Sequence, residues 1–147
     1  MTQTPGRQVV AVGIDGSGES VAALSWAGRY AAATGATLRA VRAWHYPTAA
    51  GMPPEGKAPP QVTGEVEQQM RDELGNAISE AAVPASVQIE TEIAYGHPVQ
   101  VLLDESRKAS LLAVGHRGHG GFPELLTGSV AIHCVNHAAC PVVVVRG

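Results

Sequence analysis

Short apolar runs recur along this chain, each parted from the next by a segment of helical period, and no other feature limits its possible folds so much. Gln8–Ile14 (QVVAVGI) is almost wholly apolar and stops at Asp15-Gly16-Ser17, as a strand buried on both faces does before a turn. Ser17 or Ser20 can cap the helix that follows, where Val21, Leu24, Gly28 and Ala31 recur at helical spacing until Thr34-Gly35 stops it. Thr37–Trp44 (TLRAVRAW) reads as a second strand. A second helix begins near Thr63, with Val66, Met70, Leu74 and Ile78 on one stripe and Glu65 and Glu67 where the helix dipole favours acid; Pro84 ends it. Ser86–Ile93 alternates, with Val87, Ile89, Thr91 and Ile93 against Gln88, Glu90 and Glu92, as a strand with one wet face does. Pro98 suits the first position of a third helix, with Val99, Leu102 and Leu103 facing inward. Ser110–Gly115 then reads as a buried fourth strand, about Gly128–Ala138 as the last helix, and Pro141–Arg146 as the fifth strand. This alternation predicts a doubly wound α/β domain, a parallel sheet with helices on both faces. Ligands of such sheets bind beyond the carboxyl ends of the strands, where the strand order reverses. The loops to inspect are therefore Gly13–Ser20, Trp44–Gly64 and Gly115–Ala131.

The 147 residues fit one domain, taken as 1–147. Apolar residues make up 45% and charged residues 16%, so there is material for a core and too little charge for disorder. A net charge of −3 argues against a polyanion binder, and the scattered Trp26, Tyr30, Trp44, Tyr46, Tyr95 and Phe122 do not form a base-stacking platform. Nucleic acid is not an expected partner. No run reaches the roughly 18 residues of a membrane span, and Met1–Gln8 lacks a signal-peptide core, so a cytoplasmic chain without a membrane partner is expected. Cys134 and Cys140 then read as reduced thiols. Pro47, Pro53, Pro54, Pro59 and Pro60 all fall in His45–Gly64, which predicts a mobile surface loop, either a lid or a tolerated insertion.

Gly115-His-Arg-Gly118-His-Gly120-Gly121 leaves a buried strand and leads to Gly128-Ser129 at a helix start. Glycines admit close backbone approach, a helix N-terminus offers unpaired N–H groups with partial positive charge, and a serine adds a hydroxyl. Those are the ingredients of a phosphate site, although a surface turn with a cap at Ser129 has the same residues. Gly115-x2-Gly118-x9-Gly128-Ser129 resembles the G-x2-G-x9-G-[ST] motif of the ATP-binding branch of the universal stress protein family. Gly13-Ile-Asp15-Gly-Ser17 resembles that family's opening and Cys140-Pro141-Val-Val-Val-Val-Arg146 its closing strand, so the likeness covers the chain in order.

The resemblance implies a Rossmann-like sheet of strand order 3-2-1-4-5 and a nucleotide-dependent regulatory module of the stress response. ATP, alone or with Mg²⁺, is the implied cofactor. By position, Gly13 belongs to the opening loop, Asp15 would lie near the ribose, Ala43 would line the adenine pocket, and Val114 and Gly115 would lie near the nucleoside. Gly118 would run along the phosphates, with Gly128, Ser129 and Val130 donating to them. Asp15 can equally serve as a turn or cap residue before the first helix. In that strand order the fifth strand is an edge, yet Val142, Val143, Val144 and Val145 carry nothing that blunts one. A homodimer through this strand is the implied answer; burial by helices explains the valines but leaves the edge open. A client protein of unknown identity would complete the partners.

Other constellations are weaker. His133 and His137 stand at i, i+4, but Cys134 points about 100° away, so capping and packing are expected rather than zinc. His116-Arg-Gly-His119 matches the H-x-G-H of nucleotidylyltransferases but follows the fourth strand instead of the first. No Walker A sequence or G-x-S-x-G elbow is present, and no candidate loop is read as setting two acids together to hold catalytic Mg²⁺ in the usual way. Lys57 can fold over phosphates or simply solubilise its loop. A slow ATPase or nucleotide transferase in the same pocket is the alternative; it needs a placed base, for which Asp15 alone is available, so a binding module without catalytic residues is favoured.

Overall fold

The computed structural model describes residues 8–44, 64–117 and 128–146. In chain order these form β1 (Val9–Ile14), α1 (Gly18–Thr34), β2 (Thr37–Trp44), α2 (Gly64–Ala81), β3 (Ile89–Tyr95), α3 (Pro98–Ser106), β4 (Leu111–Gly115), α4 (Ser129–His137) and β5 (Val142–Val145). The strands make one sheet of order β3-β2-β1-β4-β5. Every pairing is parallel: Val10 faces Leu38 of β2 on one side and Leu111 of β4 on the other, Leu38 faces Ile89, and Ala113 faces Val143. The predicted α/β class and strand order are therefore observed. Among the described residues no helix is long and apolar enough to cross a membrane.

Strand alternation divides the interior in two. Val10, Val12, Leu38, Ala40 and Ala113 pack against α1 and α2 through Ala23, Leu24, Ala27, Leu74 and Ala77. Ala11, Leu112 and Val114 point the other way, onto Leu102 of α3 and Ala131 and Cys134 of α4. Small residues along α1 let it lie close to the sheet, and Ala23, Leu24 and Ala27 are completely buried. Local chemistry sets the helix ends. The Ser17 side chain accepts from the Ser20 N–H (3.1 Å), and Gly35, at φ 79°, donates its N–H to the Ala31 carbonyl in a left-handed C-cap.

Several boundaries depart from expectation. β3 lies later than Ser86–Ile93, because Leu38 N–H already bonds the Gln88 carbonyl and the ladder then runs on to Tyr95. Its wet face is observed as expected: Glu90 and Glu92 stay about half-exposed, and Arg39 of β2 reaches each of them at 3.5 Å. The same guanidinium grips Glu105 of α3, Nε to Oε1 at 2.8 Å and Nη2 to Oε2 at 3.3 Å, and Glu105 is buried. α3 thus turns Val101, Leu102, Glu105 and Ser106 inward, while Val99 and Leu103 are only half-buried. α2 is first described at Gly64, and Thr63 with the rest of the expected proline loop (45–63) lies outside the described residues.

Candidate functional site

The sheet order reverses between β1 and β4, and a cavity of about 450 Å³ opens there at the carboxyl ends of the strands. β1 and its turn supply Gly13, Ile14, Asp15 and Ser20; β2 supplies Val41, Arg42, Ala43 and Trp44; β4 and its loop supply Val114, Gly115 and Arg117. α3 closes one side with Pro98 and Leu102, and α4 points its first turn at the space with Gly128, Ser129, Val130 and Ala131. Gly13, Asp15, Ala43, Val114, Gly115, Gly128, Ser129 and Val130, distant in sequence, are thereby brought together. Gly118, His119 and Lys57 lie outside the described residues.

Two glycines have close neighbours, a flexible side-chain tip at Gly13 and helix backbone at Gly115, and only the second is required by packing. A Cβ at Gly13 would sit 2.8 Å from Leu102 Cδ1, and one at Gly115 would sit 2.8 Å from the Glu19 carbonyl carbon and oxygen. β1 therefore presses against α3, and β4 presses against the first turn of α1. Gly115, the first glycine of the loop motif, has a structural reason to lack a side chain apart from any ligand.

The turn after β1 is held locally. Asp15 Oδ1 accepts from the Ser17 N–H at 2.9 Å, with Gly16 at φ 86° between them, so Asp15 does form a turn while lining the cavity. Ser17, rather than Ser20, is the N-cap, and the Ser20 hydroxyl donates to the Ser17 carbonyl (2.9 Å).

The N-terminus of α4 differs from those of α1 and α3. His97 caps α3, its Nδ1 accepting from the Val99 N–H at 3.2 Å. Gly128 is the N-cap of α4 and provides no side-chain hydrogen bond, so Ser129 is the first helical residue and not the cap. The first N–H groups of a helix carry partial positive charge and need acceptors, and here they open on the cavity. The turn is anchored from behind: Gly128 N–H bonds the His116 carbonyl, and His116 N–H bonds the Val145 carbonyl, both at 2.7 Å.

Two cations line the space, Arg42 and Arg117, with Asp15 as the one acid among the described lining residues. Arg42 Nη2 approaches Glu73 Oε1 of α2 at 3.0 Å as an ion pair, although Nε and that oxygen make no aligned hydrogen bond. The position of Trp44 at the end of the second strand marks it as a candidate lining residue, whereas Pro98 and Leu102 carry no local sign of belonging to the site.

The histidines and cysteines near the C-terminus stand apart. His133 Nδ1 lies 2.8 Å from the Ser129 carbonyl oxygen, and the His133 and His137 ring centroids are 6.3 Å apart. Among the described residues no group of three His, Cys, Asp or Glu could hold a metal ion. Cys134 is fully buried, and burial, followed by the neighbouring Cys140, pushes its thiol up to about 11.

Comparison with known proteins agrees with this fold. A universal stress protein of Mycolicibacterium smegmatis is 32% identical over 95% of this chain and 46% of its own length. The chain spans about half the length of the mycobacterial relatives it matches. Among solved structures, a universal stress protein in complex with cAMP superimposes with a TM-score of 0.70 at 27% identity, over 95% of this chain and 97% of the other. One from Archaeoglobus fulgidus in complex with dAMP shares the fold, with a TM-score of 0.66 at 16% identity over 95% and 97% of the two chains. The model of the universal stress protein family matches residues 6–146, and the chain belongs to that family.

Proposed function

We propose that this chain is an adenine-nucleotide-binding module of the stress response, with ATP, alone or with Mg²⁺, as its ligand. The observation that carries this reading is the uncapped α4 N-terminus opening into the cavity beside Asp15 and Arg117. Nucleotide phosphates would take the N–H groups of Ser129 and Val130 and the Ser129 hydroxyl, with Gly128 giving close approach and Gly118 following the phosphates. Asp15 would accept from the ribose, Gly13, Val114 and Gly115 would flank the nucleoside, and Ala43 would face the base. The cAMP complex of a solved relative supports an adenine ligand. Asp15 is the one acid among the described lining residues and its Oδ1 already serves Ser17, so Mg²⁺ would arrive on the phosphates rather than on a pair of protein acids. A slow ATPase or transferase would ask the same engaged Asp15 to act as base, so binding is the function proposed.

Occupancy would act through assembly and a client protein, in a cytoplasmic setting. β3 and β5 are the sheet edges. Charge from Arg39, Glu90 and Glu92 blunts the β3 edge. At the other, Val142–Val145 are only half-buried, and Ile132 and Val135 of α4 are 39% and 56% exposed beside a groove of about 430 Å³ that includes Val144. A second copy pairing along β5 would cover that apolar edge.

Thermal unfolding with and without nucleotide tests the reading. A ligand at about a hundred times its Kd stabilises by roughly 2.7 kcal/mol, raising the midpoint by about 5–10 °C for a chain of this size. Ser129→Ala should reduce the shift and leave the sedimentation profile unchanged. No shift with ATP, ADP, AMP or cAMP, and no nucleotide carried through purification, would refute it.

A further inference from the structure

We propose that His116 makes the pairing of two copies along β5 sensitive to pH, an inference that rests on the second-copy reading above. Strand alternation fixes the side of the sheet on which its ring lies. Leu112 and Val114 of β4 and Val142 and Val144 of β5 belong to the layer that packs on Ala131 and Cys134 of α4. His116 and Arg146 follow Val114 and Val144 by two residues and fall on the same side. Both line the groove of about 430 Å³ at the β5 edge, with Val144 and with Ile132, Val135 and Asn136 of α4. The backbone locates the ring: the His116 N–H donates to the carbonyl of Val145, which ends the edge strand, and the His116 carbonyl accepts from the Gly128 N–H, both at 2.7 Å. Nε2 of the ring is buried and has no hydrogen-bond partner among the described residues.

Charge decides what this burial tolerates. Histidine changes its charge between about pH 5 and 8, and burial without an ionic partner penalises the imidazolium far more than the neutral ring. From β5 the groove presents Arg146, and from α4 it presents Ile132, Val135 and the uncharged Asn136. His133 and His137 of α4 lie outside its lining, Arg117 lines the other cavity, and no acid lines the groove among the described residues. Protonation of His116 would therefore place a second cation beside Arg146 in each copy. A twofold pair that closes both grooves brings the two sets of charge together and removes the water that screens them. Copies that pair at neutral pH should then separate as the pH falls, each taking up about one proton.

Sedimentation equilibrium of the whole chain without nucleotide, at constant ionic strength, tests this. The Kd of the pair should rise about tenfold or more from about pH 7.5 to about pH 5.5, with thermal melts showing a folded chain at both ends of the range. His116→Gln, uncharged throughout, should hold the Kd within about threefold across that range. His116→Lys, charged throughout, should weaken pairing about tenfold or more already at the upper end. Arg146→Gln, at an exposed position, is a second test: removing the neighbouring charge should reduce the pH effect by about twofold or more. A folded His116→Gln protein that keeps the full pH dependence would overturn the assignment, as would an unmodified pair whose Kd does not change with pH. A chain that is monomeric throughout the range overturns the second-copy reading itself, and this inference with it.

Discussion

Gly115→Ala separates packing from ligand binding as the reason for a motif glycine. The added Cβ would lie 2.8 Å from the carbonyl carbon and oxygen of Glu19, against 3.4 Å for ordinary contact, so β4 and α1 must part by about 0.6 Å there. The obstructing atoms are backbone in the first turn of a helix whose next turns are packed on the sheet, so no rotamer change relieves the clash. Overpacking of this kind costs about 1–3 kcal/mol, and 2 kcal/mol corresponds to a fall of roughly 4–8 °C in Tm for a chain of this length. Gly18→Ala is the control: it opens α1, and a Cβ there meets nothing within 4 Å. That variant should melt at the original temperature or slightly above it, since alanine favours helix. Calorimetry on nucleotide-free protein, with a urea titration to confirm an unchanged m value, gives both comparisons. If Gly115→Ala melts with the unmodified protein yet fails to bind nucleotide, the missing side chain serves the ligand and the packing account is wrong.

Glu105→Ala would leave Arg39 with its longer contacts to Glu90 and Glu92, and should lower unfolding stability in urea by about 1–3 kcal/mol. The Arg39→Met, Glu105→Leu double variant should regain most of that loss, and failure to do so would contradict the dominance of unpaired burial in the cost. Ala82, just past α2, sits at φ 55°, where a Cβ is strained; Ala82→Gly should raise stability by about 0.5–1 kcal/mol, read as a higher urea midpoint. The Cys134 thiol, raised to about 11 in the folded chain, stays neutral where the unfolded chain's thiol ionises. Its contribution is complete below the ordinary thiol range near 9 and is lost as pH rises through 9 to about 11. Melting curves across that window should show this decline, and Cys134→Ala should reduce it, leaving the part owed to Cys140, which burial also raises.

The sequence alone determined the alternation of strand and helix, because burial on both faces of a parallel sheet demands apolar runs such as Gln8–Ile14 and Ser110–Gly115, and crossover helices demand stripes such as Met70 and Leu74. It also carried the turn at Asp15-Gly16-Ser17 and the cap at Gly35, whose side chains or left-handed backbone act within a few residues. It marked the glycine loop and the unblunted valine strand for the same reason. Ala82 at positive φ could not be foreseen, since alanine has no preference for that conformation. Only the tertiary structure joined Arg39 to Glu105, which are 66 residues apart, and so added a buried carboxylate to the charges of the wet β3 face. It likewise decided that Gly115 yields to Glu19, that Leu102 fills the space above Gly13, and that Trp44 meets Tyr95 edge to face. Those contacts depend on how sheet twist and helix packing bring distant elements within a few ångströms, a distance that no local pattern of residues encodes.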